Sequence, residues 1–180
     1  MAVEVQDDAG GNYAVDRLVS AIEAALVHLG RASWDVSVVL ADDALLRALN
    51  RPWRGVDEST DVLAFPQVTF ANPNRLTLSD ADTLGDEEEA TETSADRPPS
   101  TLGDIVISVE TAQRQAVEFG HTLEDELLLL SIHALLHLVG YDHMDPPSAA
   151  RMKDEERRLL NQVGGPQQPG LVQRGSLHPA

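Results

Sequence analysis

The segment from Thr122 to Gly140 constrains the fold of this chain more than any other, because it is apolar almost all round. Its sequence is TLEDELLLLSIHALLHLVG. Thr122 and the acidic turn that follows it are typical of a helix start, and a glycine is typical of a helix end. A helix without a polar face has to be buried. We therefore predict a fold built around a central helix at 122–139.

Two histidines lie about one turn apart on this helix, and a third follows it. His133 and His137 are four residues apart, so their imidazoles project from the same side. Gly140 can take the left-handed conformation that lets the chain double back and bring His143 to the same point. Three imidazoles without a fourth protein ligand leave one position open, as in catalytic zinc sites, where a bound water titrates near pH 7. The pattern predicts one zinc ion, or another divalent metal, on His133, His137 and His143.

The same spacing, H-x-x-x-H-x-x-G-x-x-H, occurs in zinc metalloproteases, where a glutamate after the first histidine is the general base. Ala134 occupies that position here. A divergent protease or other metal hydrolase would therefore need its base from Asp142, Asp145 or Glu156. Asp142 is also placed either to orient a histidine that binds the metal or to stabilise the turn. We interpret the histidines without an evident partner as structural or surface residues: His28, His121 and His178.

Periodicity predicts four strands and four further helices around the central one. The strands are 3–5, 34–40, 61–65 and 105–109, and the helices are 13–29, one capped by Asp42 or Asp43, 110–119 and 146–160. Strands and helices of these lengths predict an α/β (α+β) layer fold. In it, one small four-stranded sheet is packed with about five helices, and the metal site lies at the end of the central helix.

Composition changes twice along the chain. Eight acidic residues and no basic one lie between Ser79 and Asp96, so we expect a mobile acidic insertion at about 71–100 that buries no apolar surface. Glycine, glutamine and proline dominate after Leu160, and we expect a disordered tail at 164–180. Residues 1–163 are predicted to form a single domain.

The net charge limits the classes of partner. Thirty acidic residues against 13 basic ones give −17, and Lys153 is the one lysine. Such a chain repels nucleic acid unless arginines are concentrated locally. The charge is also expected of a protein from a salty cytoplasm, since charges are screened within about 3 Å at 1 M salt. Without cysteine, a signal-peptide pattern or an 18-residue apolar run, we expect a soluble cytoplasmic protein with no membrane contact.

Arg54 is the candidate anion-binding residue. We expect it in a polar loop between the second helix and the third strand, where functional residues gather. A guanidinium binds two oxygens of a phosphate or carboxylate at once. An ordinary surface ion pair is the alternative for this side chain.

Four segments together resemble the YbeY family of bacterial endoribonucleases and rRNA maturation factors. They come in the family's order: NRPWRGVDESTDVLAF at 50–65, LGDIVIS at 102–108, HALLHLVGYDH at 133–143, and the pair Met152 and Glu156. Ala64 stands where the family has serine, and Ala134 where it has glycine. The acidic insertion is longer than we expect for this family.

The resemblance implies a metal-dependent, single-strand-specific endoribonuclease, acting in 3′-end maturation of 16S rRNA and in ribosome quality control, on a small mixed sheet packed with helices. The family's metal-binding histidines fall on His133, His137 and His143. Its essential arginine falls on Arg54, which would offset charge developing on the phosphate while the metal supplies hydroxide or polarises a phosphoryl oxygen. The implied partners are single-stranded RNA, the small ribosomal subunit, the Era GTPase and a small-subunit ribosomal protein.

Two alternatives to the nuclease stay open on the sequence. One is a non-catalytic ribosome-assembly factor in which the metal pins the central helix to the following turn. The other is the divergent metal-dependent hydrolase with its base elsewhere.

Overall fold

A computed structural model describes residues 2–11, 13–68 and 100–166. This part of the chain contains four strands: β1 (Val3–Asp7), β2 (Trp34–Ala41), β3 (Val62–Pro66) and β4 (Ser100–Ser108). It also contains five helices: α1 (Val15–His28), α2 (Asp43–Arg54), α3 (Val109–Phe119), α4 (Leu123–Leu138) and α5 (Pro146–Gln162). The predicted α+β class, with a four-stranded sheet and about five helices, is confirmed.

The four strands form one mixed sheet in the order β1-β2-β4-β3. The β1–β2 and β2–β4 pairs are parallel, and β3 runs antiparallel to β4 at the edge. Strand β4 begins at Ser100, five residues before the predicted start, and the register against β2 shifts between Asp35 and Val36. Val109 begins α3 instead of ending the strand, because the Ser108 hydroxyl accepts a hydrogen bond from Thr111 N and caps the helix.

Gly103 lets three elements approach one another closely. Its φ of 149° is one that side chains with a Cβ rarely adopt, and a Cβ there would lie 2.2 Å from the carbonyl oxygen of Phe65 on β3. The same atom would lie 3.0 Å from a methyl of Leu138, at the end of α4. The glycine of the LGDIVIS segment therefore allows the end of β3 to pack against the end of α4.

Helix α4 is the centre of the molecule, as predicted. Every residue from 126 to 136 is buried, and the helix contacts α1, α3, α5, β3 and β4. Its leucines join the main core with the inward side chains of β2 and β4, such as Val38 and Ile105. The helix starts at Thr122, whose hydroxyl accepts a hydrogen bond from Asp125 N. Burial of an apolar helix on all sides holds its two histidines in fixed positions.

Helix α2 packs on the opposite face of the sheet, against a smaller cluster of Ala41, Leu46, Leu63 and Val106. Asp42 is its N-cap and accepts a hydrogen bond from Leu45 N. The helix continues through Pro52 and ends at Arg54, where Gly55 N donates to Arg51 O. The prediction that Arg54 lies in a loop is therefore wrong by one turn of helix. Pro52 has no N–H to donate to Ala48 O, so the helix forgoes one backbone hydrogen bond in its last turn.

The carboxylate of Asp43 ties the first turn of α2 to its neighbours. Its oxygens accept hydrogen bonds from Ser59, Ser108, Thr111 and Arg114. Burial alone would raise the pKa of Asp43, but these hydrogen bonds outweigh it and lower the pKa to about 2. The network joins α2 to the segment before β3, to the end of β4 and to the start of α3. It therefore sets the orientation of α2, whose last turn carries Arg54.

Two predicted segments lie outside the described residues. These are the acidic insertion at about 71–100, apart from Ser100, and the tail at 164–180, apart from residues 164–166. Within the described ranges, no helix combines the length and the apolarity that crossing a membrane requires.

Candidate metal centre

The structure brings the three predicted histidines together. One ring nitrogen of each lies within 4.8 Å of the others, and the Nε2 atoms of His133 and His137 are 3.2 Å apart. His133 and His137 come from consecutive turns of α4. Gly140 has a φ of 95°, so the chain reverses after α4 and returns His143 to the same point. The ring centroid of His143 is 5.2 Å from that of His137.

His133 has a buried carboxylate behind it. Its Nδ1 is 2.9 Å from Oε1 of Glu156 on α5, and both side chains are buried. An ionised carboxylate only accepts hydrogen bonds, so Nδ1 carries the proton and the Nε2 lone pair faces the other histidines. A carboxylate or carbonyl behind a histidine is the usual arrangement where that histidine binds a metal.

Sequence reasoning offered Asp142 for this place, and Glu156 only as an alternative base. The Asp142 carboxylate accepts a hydrogen bond from Met144 N at 3.2 Å, the turn-stabilising alternative. A signal for Glu156 was present in the sequence. Met152, Glu156, Leu159 and Leu160 form the buried side of α5, so Glu156 is a carboxylate on the apolar side of an amphipathic helix. Such a carboxylate requires a buried partner.

The donor set fits a divalent metal of the zinc type. Two nitrogens bound tetrahedrally at roughly 2.0–2.1 Å from one zinc ion lie about 3.3 Å apart, close to the 3.2 Å between the Nε2 atoms of His133 and His137. Burial, together with the neighbouring His133 and His143, lowers the pKa of His137 to about 3, and Arg54 acts in the same direction. His137 is therefore neutral at physiological pH, the state in which an imidazole is a ligand.

The histidines open into a cleft of about 460 Å³. One wall carries the histidines with Ala134, Asp142 and Met144, and the other is formed by α2 and β3: Trp53, Arg54, Val62, Ala64 and Pro66. Both positions at which the chain departs from the YbeY motifs, Ala64 and Ala134, line this cleft. Of the alternative bases, Asp145 is used as the N-cap of α5, where it accepts hydrogen bonds from Ser148.

Arg54 brings a cation to the cleft from the last turn of α2. Among the described residues, no carboxylate lies within ion-pair distance of Arg54 or of Arg51. Five other arginines are paired with carboxylates, and Arg151 donates to the Ser148 hydroxyl; the five are Arg17, Arg47, Arg114, Arg157 and Arg158. The guanidinium of Arg54 is therefore free to bind an anion, although the protein as a whole is acidic.

Two histidines predicted to have no partner do have one. The His121 ring contacts the buried carboxylate of Glu126, and His28 Nε2 lies 3.6 Å from Glu155. The first contact joins the residue before α4 to its first turn, the second joins the end of α1 to the middle of α5, and none of these residues lines the cleft. His178 falls outside the described residues.

Comparison with known proteins identifies the family. A family model described as "Endoribonuclease YbeY" matches residues 6–164. The protein of that name from Desulfitobacterium hafniense (strain Y51) is 39% identical over 140 residues, which are 77% of this chain and 78% of that protein. The one from Moorella thermoacetica is 41% identical over 150 residues, covering 83% and 85% of the two chains. The one from Agathobacter rectalis is 33% identical over 164 residues, covering 90% and 96%.

The family match spans most of the chain and includes every residue of the cleft. Relatives at these identities and coverages have the same family name. The chain therefore belongs to the endoribonuclease YbeY family.

Proposed function

We propose that this chain is a metal-dependent endoribonuclease that cuts single-stranded RNA in the cleft between α4 and α2. The observation that carries the proposal is the meeting of two groups in one cleft. Three imidazole nitrogens lie within 4.8 Å of one another, and Arg54, without a carboxylate partner among the described residues, faces them. A cation site beside a free guanidinium is suited to a phosphodiester.

His133, His137 and His143 would hold the metal, with zinc as the expected ion. When bound, such an ion supplies a Lewis acid next to the phosphodiester. Glu156 keeps the proton of His133 on Nδ1, so that its Nε2 is available as a ligand. His137, with its pKa lowered to about 3, does not lose its lone pair to a proton in the physiological range.

Arg54 would bind the non-bridging oxygens of the scissile phosphate. Its planar fork contacts two oxygens at once, which a point charge does not do. One turn earlier on α2, Asn50 Nδ2 donates to Glu58 O and holds the returning chain against the helix. Charge that develops on the phosphate during cleavage would then be offset by the guanidinium that lines the cleft.

We further propose 16S rRNA precursors on the small ribosomal subunit as the substrate, and the cytoplasm as the compartment. Family membership supports this assignment. The net charge of −17 makes binding to naked RNA weak at low salt and suits docking to basic ribosomal proteins. A small-subunit ribosomal protein and the Era GTPase are the partners we expect.

The experiment compares cleavage of a labelled single-stranded RNA, at low and high salt, by the wild type and three variants. His137→Ala removes a ligand, and Arg54→Ala removes the phosphate contact. Arg157→Ala is the matched control, since Arg157 lies on the outer surface of α5 and pairs with Asp154. We expect loss of cleavage on chelation and in His137→Ala, and a reduction of roughly 100- to 1,000-fold in Arg54→Ala, as for loss of one charge-stabilising donor.

Two results would contradict the proposal. Cleavage that survives chelation would show that the reaction does not depend on metal. Equal activity of the two arginine variants would show that Arg54 has no role in it. Binding of small-subunit precursors without any cleavage by metal-loaded wild type would favour a ribosome-assembly factor instead.

A further inference from the structure

Trp53 is an aromatic side chain left largely in solvent on the wall of the cleft. The chain has two tryptophans. Trp34 is 4% exposed in the main core, whereas Trp53 is 58% exposed on the last turn of α2, immediately before Arg54. A single exposed apolar side chain is ordinary on a protein surface, so the notable feature of Trp53 is its position on the wall of the cleft beside Arg54.

One contact holds the indole in place without covering it. Its ring centroid lies 5.0 Å from that of Phe65 on β3, at an interplanar angle of 65°. An edge-to-face contact of this kind occupies at most one face of the indole. At least one face of the indole is therefore uncovered, and the side chain lines the cleft.

The volume of the cleft and the side chains next to Trp53 indicate which kind of ligand the indole binds. A cleft of about 460 Å³ lies in the range of sites that hold one small molecule, so it has room for a single nucleotide. The adjacent Arg54 is suited to a phosphate and the indole to a nucleobase. Stacking on aromatic side chains is a principal means by which proteins bind unpaired bases, since bases in a duplex are already stacked on one another.

We propose that Trp53 is the base-stacking residue of the site and that it selects unpaired RNA. The base attached to the phosphate that Arg54 binds, or its immediate neighbour, stacks on the indole face. This inference rests on the proposed function, because it concerns the same RNA in the same cleft. It adds a substrate-binding residue that determines strand specificity and acts separately from the metal.

The test uses the metal-loaded full chain and two readouts. Tryptophan emission and affinity are measured against a single-stranded 2′-O-methyl RNA decamer and against the same strand annealed to its complement. Cleavage of a labelled single-stranded RNA is measured in parallel. The variants are Trp53→Ala, Trp53→Phe, Trp53→Leu and the control Val117→Ala, which alters an apolar side chain that is 74% exposed on α3, outside the cleft.

Trp53→Leu keeps apolar bulk beside Phe65, so it separates loss of stacking from loss of packing. We expect the single strand to quench wild-type emission, a change that Trp34, being buried, does not produce. Trp53→Ala and Trp53→Leu should weaken single-strand binding by about 5- to 100-fold, and the preference over duplex should fall by the same factor. Trp53→Phe should keep most of the affinity, and Val117→Ala all of it.

The two hypotheses fail in different ways. If the wild type cleaves RNA while Trp53→Leu keeps its affinity and its preference for single strands, the stacking inference is wrong and the nuclease stands. If the wild type binds single strands with quenching but cleaves nothing, stacking stands and the nuclease is wrong. If the wild type neither binds nor cleaves, both are wrong.

Discussion

Replacing Asp43 by asparagine tests whether its hydrogen-bond network stabilises the fold. The carboxylate accepts from Ser59 Oγ at 3.1 Å, Thr111 Oγ1 at 2.7 Å and Arg114 Nη2 at 2.8 Å, in addition to the Ser108 hydroxyl. Asparagine keeps the size of the side chain. It removes the charge and turns an amide nitrogen toward donors, including the guanidinium of Arg114.

The magnitude follows from the pKa of Asp43, which folding lowers from 3.8 to about 2. At about 1.4 kcal/mol for each pKa unit, this difference amounts to roughly 2 kcal/mol. Because the side chain is still 29% exposed to solvent, screening reduces the value. We expect Asp43→Asn to lower the free energy of unfolding by about 1 to 2 kcal/mol at pH 7.

The pH dependence provides a second check with a definite sign. The folded carboxyl has the lower pKa, so the unfolded chain takes up the proton first as the pH falls. The stabilisation is complete above the unfolded value of 3.8, and it is lost as the pH falls toward about 2. At pH 3, between the two pKa values, about half of this stabilisation remains.

The assay is urea unfolding of both proteins at pH 7 and pH 3, with chelator present so that metal does not contribute. Asp57→Asn is the matched control, because Asp57 forms an exposed ion pair with Arg47 and its replacement should leave stability nearly unchanged. A change below about 0.5 kcal/mol for Asp43→Asn at pH 7, or an equal change at both pH values, would refute the reasoning.

Three further predictions concern the site and the core. Glu156→Gln should weaken zinc affinity by about 10- to 100-fold, measured by competition with a chelator, because it weakens the hydrogen bond behind His133; unchanged affinity would contradict this. Gly103→Ala should lower the free energy of unfolding by at least about 1–3 kcal/mol, since strain adds to a 2.2 Å backbone clash. Gly30→Ala introduces backbone strain at a position with open space around it, so it should lower the free energy of unfolding by less. An equal decrease for the two variants would show that the clash contributes nothing. Leu129→Ala, at a fully buried position of α4, should cost about 2–5 kcal/mol in urea unfolding, whereas Val117→Ala should change stability by less than about 0.5 kcal/mol.

The sequence predicted the centre of the fold best, because one physical requirement determined it. An apolar helix with no polar face has to be buried by the rest of the protein, and α4 is buried in this way. The same helix carries His133 and His137 at a spacing that places them side by side. The turn at Gly140 was the remaining condition for the approach of His143, and it has the expected conformation.

The parts that sequence reasoning missed depend on contacts between distant segments. The start of β4 was missed because pairing with β2, and not apolar alternation, makes residues 100–104 a strand. Pro52 favours an earlier end to α2 because it has no N–H to donate to Ala48 O, but the helix continues to Arg54 and is capped by Gly55 in the left-handed conformation. Glu156 is recognised as the partner of His133 only when α5 packs against α4.

The two walls of the cleft differ in how they can open. His133 and His137 belong to the most deeply buried helix, whose amide hydrogens should exchange only when the whole domain unfolds. Trp53 and Arg54 lie on an exposed final helical turn, and such turns fray at low cost in free energy. Product could therefore leave by local fraying at the end of α2 while the histidines keep their positions. Turnover would then proceed without exchange of the metal with the surroundings.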